Sequence, residues 1–220
     1  MIFWGQHKSE DFWALKDISI KVLEGASVGL IGRNGSGKST LLKLISRILY
    51  PTTGRIKVNG RVSTLLELGA GFHPDFTGRE NIFFNASILG FSRKEIKAKL
   101  DDIISFAELG EFIDNPVRNY STGMYTRLGF AVAVHVDPDI LLIDEVLAVG
   151  DLAFQQKCLK KINEFRERNK TIIMVNHSPK SIQDHCDKAI WLDHGMIRMI
   201  GSAVEVTRSY ESYLGLNENT

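Results

Sequence analysis

Ser27-Val-Gly-Leu-Ile-Gly32-Arg-Asn34-Gly35-Ser36-Gly37-Lys38-Ser39-Thr40 is the stretch that decides the fold. Its first half is an apolar run that reads as a buried strand, and its second half fits the pattern G-x-x-x-x-G-K-[ST]. Behind it, Leu41, Leu42, Ile45, Ile48 and Leu49 recur at helical spacing, so a helix is expected over 38–49. Strand, glycine turn and helix together make a phosphate cradle. Glycine lets the backbone wrap closely enough for successive N–H groups to meet phosphate oxygens, and the following helix presents its positive end to the same anion. Gly32, Asn34, Gly35, Ser36, Gly37, Lys38, Ser39 and Thr40 are therefore the expected nucleotide-binding residues. Lys38 is suited to the β- and γ-phosphates, and the Ser39 hydroxyl to a Mg2+ ion.

Two further strand ends point to the same chemistry. Ile140-Leu-Leu-Ile143 is an apolar strand that stops abruptly in Asp144-Glu145. Carboxylates at the carboxyl end of a parallel strand face the crevice where ligands bind, so Asp144 is expected to hold Mg2+ through water. Glu145 is then the candidate to orient or deprotonate an attacking water. Thr171-Ile-Ile-Met-Val175 is another buried strand, followed by Asn176 and His177. An imidazole on that edge of the sheet can bond a γ-phosphate and sense its loss.

Between these strands the periodicity is helical. Ser92 caps a segment whose apolar face is Ile96, Leu100, Ile103, Ile104 and Ala107, and helices are expected again from Ser121 to about His135 and from Leu152 to Arg168. Asn59-Gly60, between Ile56/Val58 and Val62/Thr64, signals a hairpin. Strands alternating with helices imply an α/β fold with a mostly parallel sheet.

Composition bounds the function. With 27 basic and 26 acidic residues among 220, the chain lacks the basic excess of a protein that grips nucleic acid over a broad surface. Cys158 and Cys186 sit in no CxxC or zinc spacing, as for two idle thiols in a reducing cytoplasm. The opening residues lack the pattern of a signal peptide, and no run approaches the roughly 18 apolar residues of a membrane span. Any membrane role is expected to come through a partner.

The order of motifs, phosphate cradle, Tyr120-Ser121-Thr122-Gly123-Met124, Asp144-Glu145, Ala148-Val149-Gly150-Asp151 and His177, resembles the ATPase subunits of ABC transporters. The resemblance runs from Ala14 to about Leu214. It implies a P-loop NTPase core with a small antiparallel β subdomain and a helical subdomain inserted over about 76–136. The whole is a single domain over 1–215 with a polar tail over 216–220. It also implies ATP and Mg2+ as ligands, and a homodimer in the ATP-bound state. Ser121 and Gly123 of one chain then bind the γ-phosphate of ATP held by the other. The usual LSGGQ form is altered here to Tyr-Ser-Thr-Gly-Met, with serine, glycine and the helix start retained.

The segment Thr64-Leu-Leu-Glu67-Leu-Gly69-Ala-Gly71-Phe-His73-Pro-Asp-Phe-Thr77-Gly-Arg-Glu80-Asn81-Ile82 is similar to that of polysaccharide exporters, of O-antigen, capsule or teichoic acid. On that resemblance the partners are permease subunits, through which the polysaccharide is reached, and the location is peripheral, on the cytoplasmic face of the inner membrane. Glu67, with Leu68 as the other alignment, takes the place of a glutamine that usually joins the metal site. The family's extra N-terminal strand and adenine-stacking aromatic precede the segment matching Phe12-Trp13, which leaves Phe3, Trp4, Phe12 and Trp13 as candidates for the stacking face.

Overall fold

The computed structural model describes residues 12–66, 68–144 and 150–215. A six-stranded sheet runs through the described residues in the order β2-β3-β4-β1-β5-β6. Its strands are β1 (Ser27–Ile31), β2 (Val62–Thr64), β3 (Ile140–Ile143), β4 (Thr171–Val175), β5 (Lys188–Asp193) and β6 (Met196–Ser202). The first five are parallel, and β6 turns back antiparallel to β5. β1 and β4 are buried along their whole length, as expected of central strands covered on both faces. The β5–β6 turn passes through His194 and Gly195, both at positive φ (46° and 75°), the backbone twist that a two-residue hairpin needs.

Seven α-helices accompany the sheet among the described residues: α1 (Lys38–Ile45), α2 (Gly78–Ile88), α3 (Arg93–Ala107), α4 (Thr122–His135), α5 (Leu152–Glu167), α6 (Pro179–His185) and α7 (Ala203–Tyr213). Three apolar clusters hold the layers. One joins α5, α6 and α7 to one face of the sheet through Phe154, Phe165, Ile182, Trp191 and Val206. Another seats α1 on the opposite face through Leu41, Leu42, Leu30 and Ile190. The third lies among α2, α3 and α4, around Ile82, Phe91, Ile96, Ile103, Leu128 and Val132. Capping boxes start α2 at Thr77/Glu80 and α3 at Ser92/Glu95, each satisfying two backbone N–H groups that the helix leaves open. No helix among the described residues is long and apolar enough to cross a membrane.

The structure differs from the sequence reading at two places. The helix expected over 38–49 ends at Ile45, because Arg47 turns left-handed (φ 62°) and the N–H groups of Ile48 and Leu49 both return to the Lys43 carbonyl. Ile48 and Leu49, which extended the apolar period, are half exposed. The hairpin expected at Asn59-Gly60 does not form. Residues 55–59 are not a strand, and Val62–Thr64 pairs parallel with β3. Gly60 is needed for another reason: a Cβ there would lie 2.8 Å from that of Asp139, whose carboxylate accepts the Arg61 N–H at 2.8 Å. The antiparallel strand pairing among the described residues is that of β5 with β6, besides an isolated antiparallel bridge between Thr77 and Pro116.

Candidate functional site

The phosphate cradle is built by close packing from three directions. Gly32 leaves β1 at φ 153°, and a Cβ there would fall 2.2 Å from the Leu192 carbonyl oxygen of β5. Gly37 is left-handed (φ 101°), and its missing Cβ leaves room for Leu15 and the Ala14 carbonyl, which would lie 2.6 and 2.8 Å away. The loop is tied down by its own turn, Ser36 N–H to Arg33 O, and by the Gly195 N–H donating to Ser36 O. Lys38 is buried, its Nζ donating to the carbonyls of Gly32 (2.7 Å) and Arg33 (3.0 Å), so the ammonium is folded back along the inside of the loop. The Ser36 hydroxyl is buried without a hydrogen-bond partner among the described residues and packs close to Gly32, 2.7 Å from where a Cβ there would stand.

Helix α1 differs from the other α-helices at its start. Thr77, Ser92, Ser121, Asp151, Ser178 and Ser202 each cap theirs with a side-chain oxygen, whereas α1 begins at Gly37 with no side-chain cap and no acid in its first turn. A helix start arranged in this way is an anion seat, with partial positive charge and N–H groups directed outward.

Asn34 to Thr40 line a cleft of about 600 Å³ together with Asp144, His177, Phe12 and Ala14. Three chain segments thus meet at the carboxyl edge of β1, β3 and β4, as the strand ends implied. Gly32 lies below the cleft rather than on its wall. Glu145 and Glu67 lie outside the described residues, as do Phe3 and Trp4. Of the two described aromatic candidates, Phe12 stands on the cleft wall with 87% of its surface exposed, and Trp13 does not line it.

Residues beyond the sequence reading support this wall. Asn176 accepts the Ser178 N–H at 2.8 Å and donates to the Ser181 hydroxyl at 3.0 Å, which fixes the turn carrying His177 onto the start of α6. Its position beside His177 was the only signal available in the sequence. Lys16 N–H donates to Gly195 O, anchoring the segment that carries Phe12 to the β5–β6 turn.

Ser121 and Gly123 are not on the wall of this cleft. Ser121 caps α4, its hydroxyl accepting the Met124 N–H at 3.2 Å, and is exposed. From the same helix, Arg127 pairs with Glu108 (2.9 Å) and with Asp151 (2.8 Å), the cap of α5, while its guanidinium lies 4.9 Å from the Phe154 ring centre. Gly129 allows α4 to touch the segment flanking Glu67: a Cβ there would sit 2.5 Å from Gly69 N, and the Tyr125 hydroxyl donates to Gly69 O at 2.8 Å. The start of α4, the start of α5 and the segment around Gly69 are therefore fixed to one another.

Both cysteines are buried, and burial pushes their thiols up to about 12, which removes them as nucleophiles. Among the described residues there is no cluster of three His, Cys, Asp or Glu side chains able to cage a metal. Ser39 and Asp144 on one cleft wall are both oxygen donors and too few for a cage. That set suits a hard divalent ion bound jointly with phosphate oxygens and water.

Residues 15–148 match the sequence profile of the ABC transporter family. The chain is 55% identical over 217 residues to an O-antigen export system ATP-binding protein (RfbB) of Myxococcus xanthus, covering 97% of this chain and 50% of that protein. It is 50% identical to the RfbB of Klebsiella pneumoniae, covering 93% of this chain and 83% of the relative. It is 48% identical to the teichoic acids export ATP-binding protein TagH of Enterococcus faecalis, covering 95% and 46%. The chain thus spans about half the length of two of these relatives and most of the third. Its fold is that of an ATP-binding cassette solved as a dimer in a post-hydrolysis state with ADP and Pi. That match has TM-score 0.74 and 22% identity, and covers 90% of this chain and 94% of the other.

Proposed function

This chain belongs to the ABC transporter family, and from that premise we propose that it binds and hydrolyses ATP to drive export of a cell-surface polysaccharide of the O-antigen kind. The observation that carries the reading is the cleft, in which Lys38 and Ser39, Asp144, and His177 meet from segments far apart in sequence. The identity to O-antigen export proteins supports the cargo.

In this reading the N–H groups of residues 34–40 and the start of α1 hold the β- and γ-phosphates, and Lys38 exchanges its carbonyl partners for phosphate oxygens. Ser39 and Asp144 would hold Mg2+, which neutralises charge on the phosphates when bound. Phe12 offers a face on which adenine can stack. Glu145 orients and deprotonates the attacking water, and His177, steadied by Asn176, bonds the γ-phosphate.

The start of α4 serves the ATP of a second copy, where the exposed Ser121 hydroxyl and Gly123 complete the partner's site, so that each protomer is incomplete alone. Closure excludes water, and hydrolysis reopens the pair. Permease subunits dock on the segment from Glu67 to about Gly90, and the chain is held as a peripheral subunit on the cytoplasmic face of the membrane.

The test is the ATPase rate against protein concentration, with size-exclusion chromatography in ATP. A rate rising more steeply than first order, with Glu145→Gln inactive and trapped as an ATP-bound dimer, is the expected result. A rate strictly proportional to concentration, with no ATP-dependent dimer, would overturn the paired-site reading.

A further inference from the structure

A second cavity, of about 370 Å³, lies among α3, α4 and α5, away from the ATP cleft. Its volume is at the lower end of those that hold small ligands. Lys99 of α3 and Lys157, Lys161 and Arg168 of α5 and its end line it, against two carboxylates, Asp102 and Asp137. Lys157 and Lys161 are like charges one turn apart, an arrangement that opposes their helix, and Lys99 adds a third positive charge from the neighbouring one.

The acids within reach do not absorb this charge. Asp137 is held by Arg168 at 3.0 Å and shared with Lys170 at 3.5 Å. Lys157 pairs with Glu108 at 2.9 Å, which Arg127 also takes. Lys161 pairs with Glu164 of its own helix at 3.1 Å. Lys99 and Asp102 have no ion-pair partner among the described residues, although both line the cavity. The end of α4 adds about half a negative charge, less than the excess of cations over carboxylates in the lining. His135, at that end, feels the balance. Burial lowers its pKa first, and Lys161 and Lys99 lower it further, while the Ala131 carbonyl and Asp102 act the other way.

Alongside its cations the cavity carries acceptors. His135 Nδ1 lies 2.9 Å from the Ala131 carbonyl oxygen, so Nδ1 carries the hydrogen and Nε2 of the neutral ring is left as an acceptor. The Asp102 carboxylate is another acceptor, and the Ser105 hydroxyl, also in the lining, can serve either way. Sulfate and ionised carboxylates offer acceptors alone and would set oxygen against oxygen at Asp102. Inorganic phosphate keeps an O–H even as its dianion, and so meets the lysines with its oxygens and the carboxylate with its hydrogen.

We infer that this cavity is a binding site for inorganic phosphate, held by Lys99, Lys157 and Lys161, with its O–H donated to Asp102. Bound there, phosphate offsets the repulsion among the lysines and ties α3 to α5 at the far end of the helix that starts at Ser121. The inference stands apart from the ATPase reading, since none of these residues lines the ATP cleft.

The test is NMR of the chain without nucleotide, following the imidazole Cε1–H signals during titration with phosphate or sulfate at fixed pH and ionic strength. The His135 signal is identified by its loss in His135→Gln. Phosphate that enters the ATP cleft moves the His177 signal, so the two sites are read separately. Saturable movement of the His135 signal is expected with phosphate, and about tenfold weaker binding with sulfate. Lys99→Gln/Lys161→Gln should weaken phosphate binding at least tenfold. Asp102→Asn, whose amide can donate, should bring sulfate level with phosphate. A control pair of exposed cations outside the cavity, Lys160→Gln/Arg208→Gln, should bind as wild type.

A His135 signal that stays still while that of His177 moves overturns the inference, because phosphate then enters the ATP cleft alone. Equal movement with both anions, without saturation, overturns it as well, since that reports screening of the lysines rather than a site. A preference for phosphate that survives in Asp102→Asn removes the role given to Asp102. The comparison of the two anions on the wild-type chain needs no variant, so a variant that fails to fold leaves the test intact.

Discussion

At the scale of single residues, Gly37 satisfies two demands together: it is left-handed, and it lies against Leu15 and the Ala14 carbonyl. Gly37→Ala is expected to cost about 1–3 kcal/mol of stability, because strain and collision add. It should also abolish nucleotide binding, as seen by thermal unfolding with and without ATP. Asn176 acts through its neighbour. Asn176→Ala should lower kcat about tenfold with little change in nucleotide affinity, since it releases the turn bearing His177 rather than a phosphate contact. A large drop in affinity with unchanged kcat would remove that role. The cysteines supply a contrast. With both thiols held at about 12, a thiol reagent should be nearly inert toward the native chain and react with both sites in denaturant. The cradle and Asp144 could be read from the sequence because their chemistry demands fixed residue types at fixed spacing. Asn176 and the choice of Phe12 over Trp13 could not, since both depend on how a turn or a chain end settles against the rest of the molecule.

At the scale of elements, α4 carries the most connections. Ser121 caps one end, Arg127 bridges to α3 and α5 from the middle, and His135 sits half-buried at the other end, bonded to Ala131 O. Burial, aided by Lys161 and Lys99, lowers the His135 pKa below 6.5. The unfolded chain therefore takes up this proton first, and folding is opposed as pH falls through about 6.5. Denaturant unfolding of the wild type should lose stability from pH 7 to 5, and His135→Gln should lose less over the same window. An equal loss in both would place the pH dependence elsewhere. Helices whose apolar period was closed by a strong cap, such as α3 and α5, were legible to within a residue. The end of α1 was not, because Ile48 and Leu49 continue the period while the backbone reverses at Arg47. The failed hairpin has a similar cause: Asn59-Gly60 carries the local signal, but β2 gains more by joining the parallel sheet beside β3 than by pairing with a solvated strand.

At the scale of the whole molecule, the cleft and the start of α4 do not meet in one chain, and mixing tests the proposal that two chains join them into one site. Lys38→Ala removes the phosphate contact from the cleft, and Ser121→Ala removes the cap hydroxyl from the other half, so each variant alone should be nearly inactive. In a mixed dimer one site takes both defects, while the other joins an intact cleft to an intact α4 start. An equimolar mixture that exchanges freely forms mixed dimers for about half its pairs, each with one sound site, so about a quarter of wild-type activity should return. Sites complete within one chain would leave the mixture at the average of its two parts. The Ser121 hydroxyl also caps its own helix, and Ser121→Ala costs about 1 kcal/mol on that account. Recovery on mixing separates the two effects, because a helix weakened by a lost cap is not repaired by a partner chain, whereas a missing contact across the interface is supplied by one.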